Sequence, residues 1–141
     1  MEELNRFLAL DYGLKRIGVA LCDPLFTFAY PFKTILNGQN LWKDLKEIIS
    51  AQSVIRIILG LPLKENGEPG SISKEVLKFK NQLENIFKIE VILRDERYTS
   101  SIAQEIILKS VTKKSKRQEK GLIDRSAAAV ILQNYLDENK P

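Results

Sequence analysis

The chain has no histidine and a single cysteine, Cys22, among its 141 residues. The first absence removes Ser-His-Asp and Cys-His triads, histidine general bases and every imidazole metal site. The second excludes an intramolecular disulfide and, with histidine also missing, structural zinc. No apolar run approaches the ~20 residues that a membrane-spanning helix needs. Glu2 and Glu3 stand where a basic stretch would lead into a secretion signal, so none is expected. A reducing cytoplasm and no membrane partner are the natural expectations. If the chain is an enzyme, carboxylates, lysines, hydroxyls or a hard oxygen-bound metal must carry its chemistry.

What is present suits an ordinary globular protein. A chain of this length buries about 68% of its unfolded surface, enough for a core without staples. One domain spanning residues 1–141 is therefore expected. The net charge of +4 is uneven. Lys109 to Lys120 holds six basic residues and one acid, and the rest of the chain holds 16 basic and 17 acidic groups. Lys113, Lys114, Lys116, Arg117 and Lys120 in that segment are candidates for nucleic-acid phosphate contacts, with a solvated linker as the alternative.

Residues 6–11 form an apolar run ending in an acid and read as a buried strand. Gly13 and Lys15-Arg16 make a turn into a second strand, Ile17 to Leu21. A third strand runs from Ala29 to Ile35, placed near an edge by Pro31. Leu41, Trp42, Leu45, Ile48 and Ile49 fall at helical spacing, and Val54 to Leu59 is a β-branched strand. Pro62 to Gly70 is a loop rich in turn residues. Ile72, Val76, Phe79, Leu83 and Ile86 mark a second helix, and Ile89 to Leu93 another strand. Ser101 with Gln104 predicts a capping box and a helix through Leu108. A final helix spans Leu122 to Leu136. Three strands able to pair as a meander, then α/β alternation, predict a five-stranded mixed sheet flanked by helices. That α/β order is the ribonuclease-H-like arrangement.

Sites in such sheets gather beyond the carboxyl ends of the strands. Asp11 ends the first strand, Asp95 and Glu96 end the last, and Asp124 falls in the predicted first turn of the final helix. Clustered carboxylates repel unless a cation bridges them. Magnesium and manganese prefer such oxygen donors, and a pair of them about 4 Å apart suits phosphodiester cleavage. One of Asp95 and Glu96 is expected to be structural, because both cannot point inward from a regular strand end.

The string Leu8-Ala-Leu-Asp-Tyr-Gly-Leu-Lys-Arg-Ile-Gly-Val-Ala20 resembles the first motif of the YqgF family, also called RuvX. Gly60-Leu-Pro-Leu63 with Gly67 and Gly70 resembles the family's GLP loop, and Asp95-Glu-Arg-Tyr-Thr-Ser100 its DERxTS motif. Lys120, Asp124, Ala127-Ala128 and Ile131-Leu132-Gln133 resemble its terminal helix. The resemblance covers nearly the whole chain. It implies a ribonuclease-H-like fold related to RuvC resolvases. It also implies a metal-dependent endonuclease, acting on precursor 16S ribosomal RNA or on four-way DNA junctions. Residue by residue it assigns the acidic site, and with it Mg2+ or Mn2+, to Asp11, Glu96 and Asp124. Many members of the wider superfamily take an acid from the strand beside the first. Here that strand ends in Gly60-Leu-Pro.

Beside the acids, Gly13 is expected to turn with positive φ or admit a phosphate closely. Gly60, Gly67 and Gly70 are expected to form a lip at the same sheet end. Lys15 and Arg16 are candidates for backbone phosphates, and Arg97 for the scissile phosphate or for orienting Glu96. Thr99 and Ser100 suit caps equally well. Tyr12, Trp42 and Tyr98 suit core or rim packing better than base stacking, and Cys22 suits a small buried hydrophobe. Two other functions stay open on sequence alone. Asp11-x-Gly13 on a hairpin also resembles the first phosphate loop of actin-like ATPases, which need two such domains. A non-catalytic RNA-binding factor is the other. Structured RNA or branched DNA is the expected partner, for a monomer or a homodimer.

Overall fold

The computed structural model describes residues 4–61, 72–95 and 120–139. Its strands are β1 (Arg6–Asp11), β2 (Arg16–Cys22), β3 (Ala29–Leu36), β4 (Val54–Leu61) and β5 (Glu90–Asp95). Its helices are α1 (Leu41–Ala51), α2 (Ser73–Phe87) and α3 (Lys120–Glu138). The sheet order is β3-β2-β1-β4-β5. β2 pairs antiparallel with β1 and with β3, while β4 runs parallel to both β1 and β5. The meander followed by α/β alternation is thus present, and the carboxyl ends of β1, β4 and β5 share one sheet edge.

Strand alternation sorts side chains onto two faces. Leu8 and Leu10 of β1, Ile17, Val19 and Leu21 of β2, and Ile57 and Leu59 of β4 join one core with α1 and α2. Ala9, Ala20 and Ile58, of the other parity, join Ala128, Ile131, Leu132, Tyr135 and Leu136 of α3. The second interface has alanines on both sides. Small side chains there let α3 lie close to the strands.

β3 is an edge strand, as Pro31 implied. Pro31 pairs with Ala20 at a register shift in the ladder, where a residue without an N–H costs least. The second helix departs from expectation at its end. Ile86 is exposed, and Phe87 packs against the core instead. Four residues from Leu83 returns to the buried stripe where three does not, and Lys88 then stops the helix in a left-handed conformation. Tyr12 and Trp42 both pack against Phe79, with ring centroids 5.0 and 5.5 Å away. Both are core-rim residues. Cys22 is buried, its Sγ accepts the Phe7 N–H at 3.2 Å, and burial pushes its thiol pKa up. It behaves as a small hydrophobe.

The β2–β3 connection is built around Asp23. Its carboxylate accepts the backbone N–H groups of Phe28 (2.6 Å), Thr27 (2.8 Å) and Leu25 (3.1 Å). Desolvation opposes the charge, but these three donors outweigh it and hold the carboxyl below the usual aspartate range. A lowered folded-state value stabilises the fold above the unfolded pKa. That contribution fades as pH falls through the folded value. Asp23→Ala is expected to cost about 1 kcal/mol at pH 7, by analogy with the loss of a helix cap. In a thermal melt this is a fall of about 3 °C. An unchanged midpoint would show that the loop holds its shape without the carboxylate.

Candidate active site

Asp11 is the last residue of β1 and has the parity of Ala9, so it faces α3. Its cross-strand partner on β2 is Gly18. α3 rests on that glycine. A Cβ at Gly18 would lie 2.0 Å from the carbonyl oxygen of Asp124 and 2.2 Å from its carbonyl carbon. The backbone of Asp124 therefore sits directly over the residue paired with Asp11. Along α3, Asp124 lies four residues before Ala128 and seven before Ile131, on the sheet-facing stripe. The structure brings these two acids to one place, half-buried, from opposite ends of the chain.

Polar contacts fix the start of the helix. Arg16 Nε donates to Asp124 Oδ2 at 2.8 Å, and both side chains keep partial access to water. Thr34 Oγ1 donates to the carbonyl of Gly121 at 2.6 Å, and Arg125 Nη1 donates to that hydroxyl at 3.3 Å. Further along, Gln133 accepts the Ala29 N–H at 2.8 Å and donates to the Thr27 carbonyl at 3.1 Å. The helix is thus clamped to β2 and β3, and Asp124 cannot drift from Asp11 without breaking several contacts.

Several expectations need correction or relocation. Asp124 is the fifth residue of α3 because the helix opens at Lys120, so it is not a first-turn acid. Helix-dipole support fades beyond the first turn, and the Arg16 contact takes its place. Gly13 does not show the expected positive φ. Its need is steric, since a Cβ would meet the Arg16 carbonyl oxygen at 2.4 Å. Asn37 braces that hairpin by donating from Nδ2 to the Gly13 carbonyl at 2.9 Å. Lys15 is exposed at the turn, whereas Arg16 is half-buried against Asp124.

Asp95 has the parity of Val91 and Leu93 and so faces the α1/α2 side, away from Asp11. Gly60 follows Leu59, the parallel partner of Leu10, and so lies beside Asp11 on β4. Glu96, Arg97, Gly67, Gly70, Lys113, Lys114, Lys116 and Arg117 lie outside the described residues, as do the side chain of Lys120 and the predicted 101–108 helix. Among the described residues no three acids, cysteines or histidines form a metal-binding group. Of the three acids expected as ligands, Asp11 and Asp124 lie among the described residues.

Sequence reasoning passed over Gly18. The available signal was a glycine inside an otherwise apolar strand, which marks a close backbone approach.

A family profile described as "RuvX: Holliday junction resolvase" matches residues 5–138. The chain belongs to the RuvX family. A relative from Sulfurihydrogenibium sp. (strain YO3AOP1) is 41% identical over 136 residues, covering 95% of this chain and 91% of that protein. One from Thermoanaerobacter pseudethanolicus is 41% identical over 138 residues, covering 96% and 98%. Both carry the name "Putative pre-16S rRNA nuclease". Among solved structures, T. thermophilus RuvC in complex with Holliday junction substrate superposes with a TM-score of 0.60 at 11% identity, covering 95% of this chain and 96% of that one. Fowlpox virus resolvase in complex with Holliday junction DNA gives 0.58 at 12% identity, covering 94% and 97%. At such identities these two establish the ribonuclease-H-like fold. Membership of the RuvX family makes the chain a nuclease, a phosphodiester hydrolase by class.

Proposed function

We propose that this chain is a cytoplasmic, metal-dependent endonuclease that processes the 5′ end of precursor 16S ribosomal RNA. The observation that supports it most is the placing of Asp124 over Gly18, the partner of Asp11, in a chain whose relatives carry that name. The donor set suits a hard divalent ion, because both acids offer oxygen and both are half-buried on one sheet face. Glu96 is the third ligand in this reading. It has the sequence parity of Ile92 and Arg94, opposite to that of Asp95. When bound, Mg2+ or Mn2+ supplies Lewis-acid activation of water and charge for the leaving oxygen.

The chain's own groups do the rest. Asp11, Glu96 and Asp124 hold the ion, and their ionised forms are the competent ones. Lys15, Arg16 and Arg97 meet phosphates near the cut. Lys113, Lys114, Lys116, Arg117 and Lys120 grip backbone phosphates, Gly60, Gly67 and Gly70 serve as the lip of the site, and Gly13 shapes the hairpin that carries Lys15 and Arg16. The family description and the two resolvase neighbours favour a second reading, cleavage of four-way DNA junctions.

One assay separates the two. Labelled precursor 16S RNA and a four-way DNA junction are each incubated with the protein plus Mn2+, Mg2+ or EDTA. Metal-dependent cuts confined to the RNA are expected. Paired symmetric cuts in the junction would move the assignment to a dimeric resolvase. Intact substrates, both still bound, would reduce the chain to a binding factor. Binding itself should weaken steeply with salt, with a log–log slope of about −0.9 for each duplex phosphate neutralised.

A further inference from the structure

The contact between Arg16 and Asp124 joins an expected phosphate-binding residue to an expected metal ligand. The two do not sit together by accident of a flexible surface. Arg16 opens β2 and has the parity of Gly18, so its side chain leaves the sheet on the α3 side, two residues from the point where α3 touches down. Asp124 is on the stripe of α3 that faces the sheet. Any cation that takes Asp124 as a ligand must therefore contend with a guanidinium already 2.8 Å from Oδ2.

We propose that Arg16 is the internal counter-ion of Asp124 and sets the affinity of this site for divalent cations, releasing the carboxylate when the ion binds. This rests on the reading that Asp11 and Asp124 hold the ion. Asp124 stands over the strand partner of Asp11, and a guanidinium on its carboxylate offsets repulsion between the two acids. With it, α3 stays placed, at the cost of some cation affinity. The exchange is easy because the pair is not sealed from water: Arg16 is 35% exposed and Asp124 25%. Ion pairs of that kind contribute little, so releasing the guanidinium is a small hurdle. Once released, Arg16 points a cation out of the mouth of a site built for a polyanion. Arginine suits both duties, since its planar fork serves carboxylate and phosphate alike.

Arg16→Gln is therefore expected to bind Mn2+ about twofold to fivefold more tightly than wild type, with Arg16→Lys in between. Titration calorimetry with the metal alone, without nucleic acid, reads this directly. A purely structural Arg16 would give the opposite sign, since a displaced Asp124 binds metal less well. In the Asp124→Asn background the Arg16→Gln gain should vanish. A second readout needs no variant at position 16. The Arg16 Nε–H resonance in an NMR spectrum should shift as Mg2+ is added and should already be shifted in Asp124→Asn protein.

Wild type that binds Mn2+, loses it in Asp11→Asn, and yet shows no gain in either Arg16 variant would overturn the counter-ion role alone. Wild type whose Mn2+ binding is absent or indifferent to Asp11 would overturn the metal reading and this inference with it.

Discussion

Asp11→Asn protein should cleave its substrate at least about a thousandfold more slowly than wild type while binding it within about threefold. The loss corresponds to about 4 kcal/mol of transition-state stabilisation, a reasonable share for one ligand of a catalytic metal. The substitution is nearly isosteric, and the Asp11 backbone stays paired with Gly18, so the fold is expected to survive. Asparagine keeps one carbonyl oxygen but loses the charge that a hard cation needs. The rate constants of wild type and Asp11→Asn should be compared at saturating Mn2+ on protein freed of host nuclease. Salt-dependent binding, resting on lysines and arginines elsewhere, should hardly move. Retained cleavage in clean Asp11→Asn protein would remove the carboxylate from the chemistry.

Gly18→Ala should be the most damaging single-methyl change in the described residues. The added carbon has backbone on its far side, the Asp124 carbonyl, and no flexible side chain that could swing away. α3 must lift or β2 must bow, and both cost packing around Ala20 and Ala128, which are fully buried. Overpacking of this kind costs about 3 kcal/mol. For a chain of this length that is a fall in melting temperature of about 10 °C. Cleavage should fall by more than the loss of folded protein explains, because the displaced element carries Asp124. A melting temperature within about 2 °C of wild type, the range of an ordinary surface substitution, would mean that α3 is seated by its side chains alone.

The strands and the first two helices were legible because their patterns are local. Leu8, Leu10, Ile57 and Leu59 alternate as strands must, and Leu41, Leu45, Ile48 and Ile49 repeat as a helix must. Parallel β1, β4 and β5 bring the carboxyl ends of β1 and β5 to the same end of the sheet, whereas Asp124 is reached through the resemblance to the family's terminal helix. What stayed hidden depends on pairs distant in sequence. Nothing near Arg16 announces Asp124, 108 residues away, and a turn cation reads as solvated until its partner is placed. The apolar pattern starts α3 at Leu122, two residues late, because Lys120-Gly121 carries no apolar signal. That small displacement changed the electrostatic account of Asp124, from a dipole to an ion pair. Ile86 shows the same limit on a smaller scale, since spacings of three and four are equivalent until the helix end is known.

The seating of α3 on Gly18 also sets when the surroundings of Asp11 are complete. On the ribosome, β1 and β2 emerge early, and Asp124 follows Asp11 by on the order of ten seconds of synthesis. Until then the nascent chain holds Asp11 without the helix that completes its surroundings. In the proposed reading, with Asp11 and Asp124 as ligands of one ion, cleavage waits until the last helix has folded down onto β2.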